Sequence, residues 1–180
     1  MGITPPFNLN QWIDEHRHLL KPPVGNKNLY KDAGDYIVMI VAGPNARKDY
    51  HYNETEELFY QLEGHIEVHV QENGQKKTMK LGPGDMYLHP AKIPHSPVRH
   101  KGSIGLVIER KRNHMNVDDG LLWFCDNCNH KLYEAYFTLN DIEKDFLAHF
   151  KHFYSSQELR TCAKCGTEMP ADERFISTES

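Results

Sequence analysis

The sequence predicts an all-β jelly-roll barrel carrying a small metal-knuckle segment, and three observations predict it. From Tyr36 onward, strand-like runs follow one another: YIVMIVAG, LFYQL, HIEVHV, KTMKL, DMYLHP and IGLVIER, with no helical stretch before about residue 112. Glu63-Gly64, Asn73-Gly74 and Gly82-Pro83-Gly84 punctuate them at near-regular intervals, as hairpin turns do. Beyond the strands lie two Cys-x2-Cys pairs, Cys125 with Cys128 and Cys162 with Cys165. The chain therefore divides into a barrel with an N-terminal helix over 1–112, a four-cysteine metal-binding segment containing a helix and packed on the barrel over 113–170, and a tail over 171–180. A jelly-roll of this kind encloses a pocket between its sheets.

Composition narrows the function classes. A chain of 180 residues buries enough surface to be stable without disulfides. Charged residues at 26% and hydrophobic residues at 39% are ordinary for a globular protein, and no apolar run approaches the ~20 residues of a membrane span. MGITPPFNLNQW has neither a basic nor an apolar leader region, so a cytoplasmic location is expected. The net charge is −4 and the basic residues are scattered, which argues against a nucleic-acid partner.

Taken in order, Asn8 or Asn10 caps a helix running to about Leu20, with Trp12, Ile13, His16, Leu19 and Leu20 on one side. Lys21 to Asn26, KPPVGN, ends it and is either a connector or a cover over a cavity mouth. In the strand after Glu57, that carboxylate shares a face with Phe59 and Gln61, while Leu58, Tyr60 and Leu62 face the other way. His65, Glu67 and His69 share a face opposite Ile66, Val68 and Val70, either as an exposed polar face or as a metal site. Glu109 is in register with Gly105 and Val107: within the strand it is a buried carboxylate in need of a partner or a task, and past its end it is an exposed acid beside Arg110. After the barrel, KLYEAYFTL reads as a strand. The helix after it is capped by Asn140 with Glu143 as reciprocal partner, and carries Phe146, Leu147, Phe150 and Phe153 as an apolar stripe.

Two metal sites of opposite design are expected. The four cysteines make a closed tetrahedral site for zinc or a single iron; a dithiol redox pair or two disulfides are the alternatives, the first lacking a thioredoxin-like context and the second disfavoured in the cytosol. His51 and Glu57 in RKDYHYNETEE, with His95 in GPGDMYLHPAKIPHSPVR, make a two-histidine, one-carboxylate set that leaves about half of an octahedral iron(II) ion open to a chelating substrate and dioxygen. Arg47 lies four residues before His51, and Arg99 four after His95. Two guanidinium groups beside such a metal point to a carboxylate substrate. The other histidines, twelve in all with the two ligands, read as ordinary polar positions.

The segment from Gly43 to Gly64, with His51, Glu57 and Gly64, and the segment from Gly84 to His95, with Pro90, resemble the two motifs of the cupin superfamily, whose fold is a double-stranded β-helix. PFNLNQWIDEHRHLLKPPVGN, GPNARKDYHYNETEELFYQL, HSPVR, LVIER and WFCDNC followed by CAKCG together resemble the bacterial 3-hydroxyanthranilate 3,4-dioxygenases, over nearly the whole chain up to about Gly166. The resemblance implies iron-dependent extradiol-type cleavage of 3-hydroxyanthranilate in tryptophan and kynurenine degradation, giving the semialdehyde precursor of quinolinate. It implies that His51, Glu57 and His95 hold iron, that Arg47 and Arg99 grip the substrate carboxylate with O2 arriving beside Arg47, and that Glu109 meets the hydroxyl and amino side of the ring. It further implies a homodimer, a non-catalytic second iron or zinc on the four cysteines, and closure of KPPVGN and the region of Ile142 over the ring. Asn53 stands where many cupins place another histidine, so the ligand set is three. The rival readings are a cupin enzyme for another aromatic substrate and a non-catalytic sensor of an aromatic acid.

Overall fold

The computed structural model describes residues 5–21, 25–45, 47–112, 114–139 and 142–176, without the side chains of 142–144. Two antiparallel sheets face each other. The strands are β1 (Asn26–Asn28), β2 (Tyr36–Ala42), β3 (Tyr50–Tyr52), β4 (Glu57–Glu63), β5 (Ile66–Glu72), β6 (Gln75–Leu81), β7 (Met86–His89), β8 (His95–Arg99), β9 (Ile104–Arg110), β10 (Asp119–Phe124) and β11 (Lys131–Phe137). One sheet has the order β1-β2-β9-β4-β7 and the other β11-β10-β3-β8-β5-β6, which is the cupin jelly-roll.

Alternation along the strands builds the core between the sheets. Phe59, Ile66, Val68, Val70, Leu81 and Val107 are buried there, joined by Met39, Val41, Met79, Tyr87 and Ile93. Residues one position away in each strand point outward. Helix α1 (Leu9–His16), capped by the Asn8 side chain, is followed by a short 3₁₀ turn, Arg17–Leu19. It covers part of the outer face of the five-stranded sheet, where Ile13 and Leu20 meet Ile40, Ala42 and Ile104.

Beyond residue 113 the chain goes on to extend the sheet. β10 pairs with β3 and β11 pairs with β10, so the six-stranded sheet continues through residue 137. Helix α2 (Ile142–Ser155), followed by α3 (Gln157–Arg160), packs on this extension through a cluster of Leu121, Trp123, Phe146, Phe153, Tyr154 and Met169. Leu147 departs from the expected stripe: it lies at its flank and is exposed, whereas Tyr154 is buried. Asn140, the expected cap, lies outside the described residues. The expected tail is also partly structured. Residues Glu173–Ile176 form helix α4, and Phe175 sets its ring 4.9 Å from Phe150 and stacks on Tyr154 at 5.5 Å. The apolar Phe175 and Ile176 supply the reason, since both pack against the aromatic cluster.

Candidate metal centre and its surroundings

The two sheets divide the site between them. β3 brings His51 directly opposite His95 of β8, at the single registered pair joining those strands. From the other sheet, Glu57 of β4 lies opposite Glu109 of β9 on one side and His89 of β7 on the other. All three expected ligands are buried, and one donor atom from each lies within 4.8 Å of the others.

The donors fit a metal better than they fit one another. Glu57 Oε2 lies 3.0 Å from His95 Nε2, yet it makes no hydrogen bond, and His95 Nδ1 is also buried without a partner. Burial pushes the Glu57 carboxyl up, but His95, His51 and His89 hold it down to about 2, so it is an anion ready to ligate. A buried, ionised carboxylate facing two imidazoles needs a cation to complete it. Asn53, close to His51 in sequence, is buried with its Nδ2 unpartnered.

Groups behind the triad fix its orientation. His51 Nε2 lies 2.8 Å from Asp119 Oδ2, a carboxylate–histidine pair that sets the tautomer and leaves the lone pair on the other ring nitrogen. His89 is fully buried: its Nε2 donates to the Ile93 carbonyl oxygen at 2.7 Å, the Tyr87 hydroxyl donates to its Nδ1 at 3.0 Å, and its ring lies 4.2 Å from that of His95. Burial and the neighbouring His95 push it down to about 4, so it stays neutral.

The two expected carboxylate grips differ. Arg99 is 3% exposed, makes no ion pair among the described residues, and has an unpartnered Nη1. Burial and Arg47 push its guanidinium down to about 10, against the pull of Glu57. Gly105 makes room for it, because a Cβ there would stand 3.1 Å from Arg99 Nη1 and 2.8 Å from Gln61 Oε1. Arg47 is already paired with Asp49 and lies over the Phe146 ring at 6.0 Å.

Glu109 is buried, within the strand as one of its two alternatives required. Its partner is Arg112, whose Nη1 donates to Glu109 Oε2 at 2.8 Å. Burial and the facing Glu57 push the Glu109 carboxyl up while Arg112 pulls it down. Arg112, Asp119, His89 and Asp49 are the members of this site that sequence reasoning missed. The aspartate that opens β10 was the available signal, since an acid that starts a buried strand needs a partner.

His65, Glu67 and His69 take the plain alternative. His69 pairs with Glu67 at 3.2 Å on the outer face, and no metal-ligand cluster forms there among the described residues. Pro22 to Val24 of the expected cover, and the Ile142 side chain, lie outside what is described.

The second cluster matches its expected geometry. The four cysteine sulfurs lie within 4.8 Å of one another, and the Cys125–Cys165 and Cys128–Cys162 pairs are each 3.6 Å apart. A tetrahedron with ~2.3 Å metal–sulfur bonds has edges of about 3.8 Å. Both knuckles fold alike: Asn129 N donates to Cys125 O at 2.9 Å and Gly166 N to Cys162 O at 2.8 Å, with positive φ at Asn129 and Gly166. All four thiols are free, so the disulfide alternative is not what forms.

Comparison with known proteins agrees with this geometry. Residues 1–154 match the model of a family described as 3-hydroxyanthranilic acid dioxygenase. A 3-hydroxyanthranilate 3,4-dioxygenase of Xanthomonas campestris pv. campestris is 53% identical over 178 residues, covering 99% of both chains. One of Bacillus cereus is 44% identical over 167 residues, 92% of each. With the buried triad inside a cupin barrel and likeness along nearly its whole length, the chain belongs to the 3-hydroxyanthranilic acid dioxygenase family.

Proposed function

We infer that this chain is a ring-cleaving dioxygenase that converts 3-hydroxyanthranilate and O2 to 2-amino-3-carboxymuconate semialdehyde, the quinolinate precursor of tryptophan and kynurenine degradation. The near full-length likeness to relatives bearing that activity's name carries the reading. The reading assigns iron(II) to His51, Glu57 and His95, which come together buried, with Glu57 Oε2 and His95 Nδ1 lacking hydrogen-bond partners. Iron(II), when bound, supplies open positions where the substrate's hydroxyl and amino groups meet dioxygen.

The chain's residues do the rest. Arg99, with its unpaired Nη1, receives the substrate carboxylate, and Arg47 joins by exchanging part of its pairing with Asp49, next to the O2 approach. Held by that carboxylate, the ring presents its hydroxyl towards Glu109, which takes the phenolic proton. Its raised affinity for protons, set by burial and Glu57, suits that task. Rigid placement of the ring by two guanidinium groups and one acid sets which carbon–carbon bond faces oxygen.

The four-cysteine site takes a second iron or zinc with a structural role, because four thiolates leave no position open. Four free thiols held for a metal suit a cytoplasmic location, and no helix among the described residues is long and apolar enough to cross a membrane. A homodimer belongs to this reading too. The outer face of the five-stranded sheet exposes Met86 and Leu88 on its β7 edge and Tyr36 on β2, each more than half exposed, and a second copy would cover this face.

The test is oxygen uptake by anaerobically iron(II)-loaded protein with 3-hydroxyanthranilate, with the absorbance of the semialdehyde followed in parallel. Stoichiometric oxygen use with product is expected. Tight binding without oxygen use would replace the enzyme by a sensor of an aromatic acid.

A further inference from the structure

The connection from β9 to β10 carries the chain from one sheet to the other, and Arg112 sits in that crossover. Its guanidinium is buried and nearly saturated with acceptors. Nε donates to Asp119 Oδ1 and Nη2 to Asp119 Oδ2, both at 2.7 Å. Nη1 donates to Glu109 Oε2 at 2.8 Å, to the Arg110 carbonyl oxygen at 2.9 Å and to Thr55 Oγ1 at 3.3 Å. Asp119 in turn takes His51 Nε2 on the oxygen it shares with Nη2. The line His51, Asp119, Arg112, Glu109 therefore runs through hydrogen bonds of 2.7–2.8 Å from the six-stranded sheet to the five-stranded sheet.

We propose that Arg112 is a positioning residue that couples the metal-ligand histidine to the proton-accepting acid: one fork-shaped cation holds both carboxylates, so the place of Glu109 relative to the metal is fixed through His51. The inference rests on the roles given above to His51 and Glu109. Neither β3 nor β9 supplies this constraint, because they lie in different sheets and do not pair. Guanidinium chemistry is required. Two parallel bonds to Asp119 use Nε and Nη2, and the remaining Nη1 faces Glu109; an ammonium has no such rigid fork. A cation that merely neutralised buried acids would work equally well as lysine.

Arg112→Lys, which keeps the charge, is the test. Iron(II) affinity is read without substrate, by competition with a chromophoric chelator, and turnover is read per bound iron on the saturated protein. The expected result for Arg112→Lys is a loss of iron affinity of about 10–100-fold, the usual effect of disturbing the groups behind a ligand. Per-iron turnover should fall about tenfold, somewhat less than the full contribution of a positioned acid. The KM for 3-hydroxyanthranilate should stay within about threefold, because Arg47 and Arg99, whose charge-assisted hydrogen bonds hold the carboxylate, are untouched. Wild-type affinity and per-iron turnover in a folded Arg112→Lys protein would overturn the proposal, as would a loss of thermal stability alone.

If Arg112→Lys fails to fold, a double-mutant cycle of Asp119→Asn and Glu109→Gln decides, since these two acids share Arg112 and no direct hydrogen bond among the described residues. Non-additive effects on iron affinity support the coupling; additive effects refute it. An iron-loaded wild-type protein that uses no oxygen would count against the functional reading instead. The affinity measurements would still support or overturn the link from Arg112 to His51.

Discussion

Replacing Arg99 by methionine should make the substrate-free protein more stable and the enzyme far worse. The guanidinium is buried with no ion pair among the described residues, and burial with the neighbouring Arg47 lowers it from the ordinary arginine range to about 10. A depression of that size corresponds to about 3 kcal/mol of strain on the charged form. Its sign follows from linkage: at neutral pH the group is protonated folded and unfolded, so the full cost is present there and recedes only as pH rises past about 10. Methionine fills comparable space without charge. Allowing for imperfect packing, a gain of about 2 kcal/mol is expected, a rise of roughly 4–8 °C in the unfolding midpoint for a chain of this size. Substrate loses two charge-assisted hydrogen bonds of about 1.5–3 kcal/mol each, so KM rises at least about 100-fold. Differential scanning calorimetry on the substrate-free protein and oxygen-uptake kinetics on the iron-loaded protein read both effects. A lower midpoint, or an unchanged KM, would refute the assignment of Arg99 as a cation held in readiness for a carboxylate.

The other arginine should behave in the opposite sense: Arg47→Ala leaves Asp49 buried and unpaired, so stability drops by about 1–3 kcal/mol while KM rises only about tenfold, both measurable in the same assays. Cys128→Ser with Cys165→Ser should release the second metal and open the chain after Phe124 to protease, because such sites contribute about 10–16 kcal/mol in zinc-finger peptides; a protease-resistant double variant would contradict this. Metal-free protein should lose stability as pH falls from about 6.5 to about 4. The neutral His89 ring sits near 4 in the fold, so the unfolded chain binds the extra proton over that window, a difference on the order of 3 kcal/mol. Urea midpoints of wild type and His89→Gln across this range measure it, and parallel curves would exclude His89 as the cause.

The strands legible in the sequence are those that alternate or run apolar between turn residues: β2, β4, β5, β6, β7, β9 and β11 all lie where these patterns place them. β3 and β8, which carry His51 and His95, are not legible as strands. β3 is three residues long, and β8 contains Pro97 in a central position, where a proline ordinarily argues against a strand. That His51, Glu57 and His95 belong together is legible nonetheless, because residue type and motif spacing do not need the strand to be recognised. For Glu109 the register leaves burial or exposure open, depending on where β9 ends, and the structure places it within the strand and buried. Its partner is not legible, since the contact of Arg112 with Asp119 depends on how a crossover loop closes, and no local periodicity encodes that. Phe175 is hidden in an expected tail for the same reason: its ring finds Phe150 and Tyr154 only after α2 has packed.

The triad draws two ligands from one sheet and one from the other, and that division gives the metal a mechanical part. Iron(II) at this position would act as a rivet between the sheets, where β3 and β8 are joined by a single registered pair. Opening the sheets there would then require breaking metal–ligand bonds, so amide exchange in β3, β4 and β8 should slow together when iron binds. The apolar core at Phe59, Val68 and Val107, which adjoins the triad through the Phe59 ring 6.0 Å from that of His95, holds the sheets together without a metal. The barrel would thus be held by its core and, with iron bound, latched at its site.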